Sequence, residues 1–136
     1  MFNENIKMSD KLISVFSYMT GGFAGIIWQI YCAVTKKHMT KFLLFNIYQA
    51  VFLSLLIYMS YLLLMMVYHL LVMIPFINVL VNSLYFALLS PILYKWSLIE
   101  LVLLIVYIYL MAFSFIGRYA ILPWVSNIIL YQLKRF

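Results

Sequence analysis

From residue 42 to residue 117 the chain carries only two charged side chains, Lys95 and Glu100. A water-soluble domain is about 25% charged, because it must cover its surface with polar groups. Over all 136 residues the charged share here is 9%, against 68% hydrophobic. The solvent facing most of this chain is therefore expected to be lipid. A helix needs about 20 mostly apolar residues to cross a hydrocarbon core of roughly 30 Å.

Residues 12–34 and 42–117 provide length for four such crossings with short connections. The expected fold is all-α: a polytopic membrane protein, a bundle of four transmembrane helices with a short C-terminal interfacial helix. The expected spans are about 12–34, 42–66, 71–94 and 98–117, within one integral membrane domain covering 1–136. Thr20, Gly21, Gly22 and Gly25 interrupt the first span. Such glycines either admit a close neighbouring helix or break the helix, and close packing is the commoner case. Thr40 is placed to cap the second span. A single helix over residues 42–94 would be about 80 Å long, so the chain is expected to turn back near His69 to Pro75. Past Arg118 the apolar residues Val125, Ile128, Ile129 and Leu133 keep helical spacing, and a tail over 121–136 is read as lying along the interface. Tyr58, Tyr61, Tyr107 and Tyr109 fall inside spans and are expected to pack between helices with their hydroxyls paired.

The net charge of +6 raises the question of nucleic acid, but the bases are too few and scattered for a phosphate-reading face. Lys7, Lys11, Lys36, Lys37, Lys41, Lys95, Arg118, Lys134 and Arg135 stand beside apolar segments, as anchors in lipid headgroups do. A straight four-span threading divides them almost evenly between the two sides, so charge does not orient the chain. The lone Cys32 excludes an internal disulfide and reads as a small apolar filler. The apolar stretch after Lys11 shows no clear cleavage site and reads as a retained first span, and residues 1–11 are too short, and too acidic at Glu4 and Asp10, for an organelle transit peptide.

Ionisable groups in lipid are costly and often functional. Glu100 can pair with Lys95, His69 has no second histidine near it, and His38 sits in a lysine-rich connection. No nucleophile–base pair, phosphate loop or metal-ligand set is legible, so neither an enzyme nor a cofactor is expected. The amides are more informative. Gln29, Asn78 and Asn82 lie in other spans, while Phe42, Phe45, Asn46 and Gln49 recur at i, i+3, i+4 and i+7, putting two aromatics and two amides on one helical face. In lipid such amides act as glue between helices, at about 0.6 to 2 kcal/mol each, or form a hydrophilic seam that a passing chain or solute touches. Gly117 is placed to end a helix, Arg118 to hold phosphate at the surface and Pro123 to start the tail.

The segment Lys41-Phe42-Leu43-Leu44-Phe45-Asn46-Ile47-Tyr48-Gln49-Ala50 is similar to the phenylalanine–asparagine–x–x–glutamine–alanine pattern of the Tic-twenty family. The segment Gly117-Arg118-Tyr119-Ala120-Ile121-Leu122-Pro123-Trp124-Val125-Ser126 resembles that family's glycine–x–tyrosine–alanine–x–isoleucine–proline stretch after its last span. Ile13 to Tyr18 resembles its opening Ile-Ser-x-x-Ser-Tyr. The departures are Leu53-Ser54-Leu55 where an acid often stands, Leu122 for isoleucine, and Asn127 in a commonly acidic position. The resemblance implies a channel-type, non-enzymatic subunit of the protein translocon in the chloroplast inner envelope. Its partners would be precursor polypeptides, lipid and other translocon subunits or further copies of itself. Bacterial relatives make a bacterial plasma membrane the alternative location. The abundance of Ile, Asn, Lys, Tyr, Phe and Met matches AT-rich coding of the kind found in algal plastids. Composition leaves open two rivals: a small-solute transporter, and a scaffold for a larger membrane complex.

Overall fold

The computed structural model describes residues 6–93, 96–122 and 125–133. It is all-helical apart from one short hairpin. The elements are α1 (Met8–Met19), α2 (Phe23–Val34), α3 (Lys41–Val72), α4 (Asn78–Leu89), β1 (Pro91–Leu93), β2 (Trp96–Ser97), α5 (Leu98–Ile116) and α6 (Val125–Leu133). They fall into two compact units, one over residues 1–55 and 107–136, the other over 56–106.

In the first unit, the expected first span is not one helix. α1 ends at Thr20, and Gly21 and Gly22 take φ of +61° and +97°. The amide of Gly22 donates to the carbonyl of Ser17 at 2.6 Å, and that of Gly21 to Tyr18 at 3.3 Å. These paired reverse bonds form a Schellman cap, whose left-handed residue costs a side-chain-bearing amino acid about 1–2 kcal/mol. The chain then turns back. A Cβ on Gly25 would lie 2.6 Å from Ser17 Oγ and 2.7 Å from Ile47, and one on Gly22 would lie 3.0 Å from the Val51 backbone. The glycines thus serve both roles, break and close approach.

Neighbours along α3 give the directions. Asp10 meets Thr40 and Tyr18 meets Asn46 and Gln49, so α1 runs parallel to α3. Gly22 lies by Val51 and Gly25 by Ile47, so α2 runs antiparallel to it. Each helix has 12 residues, about 18 Å at 1.5 Å rise. The pair is a hairpin too short to cross, with its two outer ends at the start of α3.

Thr40 caps α3 as its type suggests: its hydroxyl accepts from the Leu43 amide at 3.3 Å and donates to Asp10 Oδ2 at 3.0 Å. α5 also ends with a Schellman cap, at Gly117, φ +86°, where Arg118 N donates to Phe113 O at 3.0 Å. α6 follows the expected spacing, but Val125, Ile129 and Leu133 are buried against Phe42, Phe45 and Tyr119. Those three cover the aromatic face of α3, while Ile128, the fourth residue of the expected stripe, stays exposed.

In the second unit, the chain breaks between Met73 and Ile77, around Pro75. α4 returns with Asn82 Oδ1 accepting from Tyr68 OH at 2.8 Å and Tyr85 stacked on Tyr68 at 4.1 Å. Then β1 pairs antiparallel with β2. Ser97 opens α5 through a capping box: its Oγ accepts from Glu100 N at 3.3 Å, and its own amide donates to Glu100 Oε2 at 2.8 Å. Glu100 thus serves its own helix; the alternative partner, Lys95, lies outside the described residues.

Among the described residues two helices, α3 and α5, are long and apolar enough to cross a membrane, not four. The expected third span shortens to the 12 residues of α4. Only 6% of the most apolar window of α3 and 11% of that of α5 is buried, unlike the core helix of a soluble domain. Tyr58, Tyr61 and Tyr109 are exposed rather than packed between helices.

Candidate functional site

The face Phe42, Phe45, Asn46 and Gln49 forms as spaced, and all four side chains are fully buried in the first unit. It divides its work. The aromatics meet Tyr119 edge-on, Phe42 at 5.4 Å and 82°, Phe45 at 5.1 Å and 69°, the arrangement that puts a ring's positive rim on another's negative face. The amides form a polar chain across four helices, α1, α3, α5 and α6, and a loop.

Asn46 Oδ1 accepts from Ser114 Oγ at 2.8 Å and lies 3.0 Å from Tyr18 OH. That hydroxyl is also 3.1 Å from Gln49 Oε1, so its single proton chooses between two acceptors. Asn46 Nδ2 donates back to Phe42 O at 2.9 Å. Gln49 Nε2 donates to Ala120 O at 3.2 Å and Ser126 Oγ at 3.4 Å. Ser126 Oγ in turn accepts from Leu122 N at 2.7 Å. Both amide oxygens face hydroxyl donors and both nitrogens face acceptors, so the network is internally consistent. Its side-chain members Tyr18, Asn46, Gln49, Ser114 and Ser126 are all buried.

Around Gly117 the geometry is different. Gly117 is the left-handed residue of the α5 cap, and the Lys11 Cε would stand 2.8 Å from a Cβ placed there. Lys11 Nζ donates to Ile116 O at 3.3 Å, a cation against the negative end of the α5 dipole. Tyr119 turns inward onto the aromatic face, and Arg118 is exposed. Pro123 lies outside the described residues. Of the other amides, Gln29 Nε2 donates to Tyr48 OH at 3.2 Å on an exposed edge. An apolar cleft of about 380 Å³ lies beside the network, lined by Tyr48, Val51, Phe52, Leu55, Ile128, Ile129 and Gln132.

Tyr18, Ser114 and Ser126 are the network members that residue type alone did not single out. Their signal was small: hydroxyls in apolar helices, where each must find a partner. His69 Nδ1 lies 2.7 Å from Met65 O within its own helix, His38 is exposed, and Cys32 is buried as an apolar filler would be. Among the described residues no group of three or more His, Cys, Asp or Glu could hold a metal ion.

Comparison with protein-family models, curated proteins and solved structures finds no match to this chain.

Proposed function

We propose that this chain is a non-enzymatic subunit of a membrane protein translocon, of the kind that passes unfolded precursors across the plastid inner envelope. One observation carries the reading. The three segments that resemble the Tic-twenty family lie far apart in sequence, yet their distinctive residues form one core. Tyr18 of the first reaches Asn46 and Gln49 of the second, and Gln49 reaches Ala120 and Ser126 of the third. The aromatics of the second close on Tyr119 of the third.

The lipid-facing character of α3 and α5 supports a membrane location for such a subunit. The burial of Asn46 and Gln49 supports a part in holding helices together, with precursor passing beside this core in company with partner subunits or further copies. That same burial favours a second reading, a scaffold that assembles a membrane complex without touching cargo.

The test is import arrest in isolated organelles, or in membranes of the source organism, with photo-crosslinkers at exposed Tyr58 or Leu63 of α3 and, as a control, at buried Asn46. Crosslinks to precursor from Tyr58 or Leu63 and not from Asn46 support a translocon subunit. Copurification with a complex but no crosslink from any position would leave the scaffold reading and overturn the first.

A further inference from the structure

The hairpin of α1 and α2 changes where the positive charges are. A first span running straight from 12 to 34 would put Lys7 and Lys11 on one side of a membrane and Lys36, Lys37 and Lys41 on the other. The hairpin instead returns the chain to its starting end. The Thr40 hydroxyl donates to Asp10 there, so residues 36–41 share an end with residues 7–11. The close of α5 reaches the same end, with Lys11 Nζ on Ile116 O and its stem over Gly117. Arg118 follows immediately. Six of the nine basic residues therefore meet at one end of the first unit, and they are all the basic residues in the described part of the chain.

We propose that this end is a docking surface for anionic lipid headgroups, a selective patch rather than scattered anchors. Three features of the geometry agree. Lys7, Lys36, Lys37 and Arg118 are exposed. The end coincides with the start of one membrane-length helix, α3, and the close of the other, α5, which is where headgroups lie when those helices cross a bilayer. The only described acid here is Asp10, whose carboxylate accepts from Thr40, so among the described residues of this end six bases stand against one acid. The exposed apolar faces of the hairpin, among them Leu12, Phe16, Phe23, Ile27 and Ile30, place its two short helices in the hydrocarbon just beneath that surface.

Each Lys or Arg near an anionic membrane surface strengthens association about fivefold. The surface is a property of the membrane unit and stands apart from the translocon role. Purified full-length chain reconstituted in equal phosphatidylcholine and phosphatidylglycerol, extracted gently in neutral detergent, is assayed for the lipid it retains. The expected result is about fivefold or greater enrichment of phosphatidylglycerol. It should fall toward parity in 1 M salt, where the Debye length is about 3 Å, and in the triple variant Lys36→Asn, Lys37→Gln, Arg118→Gln with unaltered helix content. Equal retention of the two lipids by the unaltered chain, or enrichment that survives high salt, would overturn the proposal.

Discussion

Replacing Asn46 with leucine removes an acceptor on which two helices converge. Asn46 Oδ1 takes the Ser114 proton at 2.8 Å and is one of two acceptors for Tyr18 OH. Leucine is of similar size, so no large cavity is created. Tyr18 falls back on Gln49 Oε1 at 3.1 Å, and Ser114 can turn to the carbonyl four residues earlier in α5. What is lost is one to two bonds between helices, each worth about 0.6–1.7 kcal/mol in membrane proteins, for a total of about 1–2 kcal/mol. A double-mutant cycle pairing Asn46→Leu with Ser114→Ala isolates the direct term, expected at about 0.6–1.7 kcal/mol. Reversible unfolding in mixed dodecyl sulfate and neutral-detergent micelles, followed by far-UV circular dichroism, reads it out. The exposed Gln29–Tyr48 pair serves as the comparison and should couple weakly. If Asn46→Leu is neutral and the cycle shows coupling no greater than that comparison, the amides are bathed in water and the dry-network reasoning fails.

Other outcomes follow from single positions. Gly22→Ala should destabilise by at least the left-handed penalty of about 1–2 kcal/mol, because its Cβ also meets the Val51 backbone, which no rotamer change relieves; an unchanged unfolding midpoint would contradict the hairpin turn. Lys36 holds φ +51° as the left-handed residue closing α2, so Lys36→Gly should stabilise by about 1 kcal/mol, seen as a higher midpoint in the same assay. Ser97→Ala removes the α5 cap and should cost about 1 kcal/mol, with faster amide hydrogen exchange confined to the first turn of α5. Single cysteines at positions 7, 38 and 118, in a Cys32→Ala background, should react with an impermeant maleimide from the same side of sealed vesicles, and from opposite sides if residues 12–34 cross as one span.

The apolar run from 42 onward made the helices and their exposed apolar surface legible, and Thr40, Pro75 and the 125–133 spacing placed a cap, a turn and a last helix. The face of Phe42, Phe45, Asn46 and Gln49 was legible as a face, because helical spacing fixes which residues share one. The partner of that face was not, since Ser114 and Ser126 approach only in three dimensions. The hairpin escaped for a different reason. Hydropathy over residues 12–34 is the same for one full span and for two half-length helices folded back, and the decision rests on the backbone angles of Gly21 and Gly22. The capping box at Ser97 and Glu100 stood in plain order, but the opposite charge of Lys95 suggested an ion pair instead. For α6, spacing identified an apolar stripe but not whether lipid or protein covers it.

The positions of Asp10 and Thr40 separate the hairpin from a straight first span without reference to function. Their side chains are 3.0 Å apart here, whereas a helix crossing between them would hold them on opposite sides of roughly 30 Å of hydrocarbon. Asp10→Cys with Thr40→Cys in the Cys32→Ala background, oxidised in the membrane, then denatured and treated with polyethylene-glycol maleimide, reports the distance. An intramolecular disulfide that leaves the monomer without adducts is the expected result. Two adducts per monomer after oxidation would show that the ends of this segment never meet.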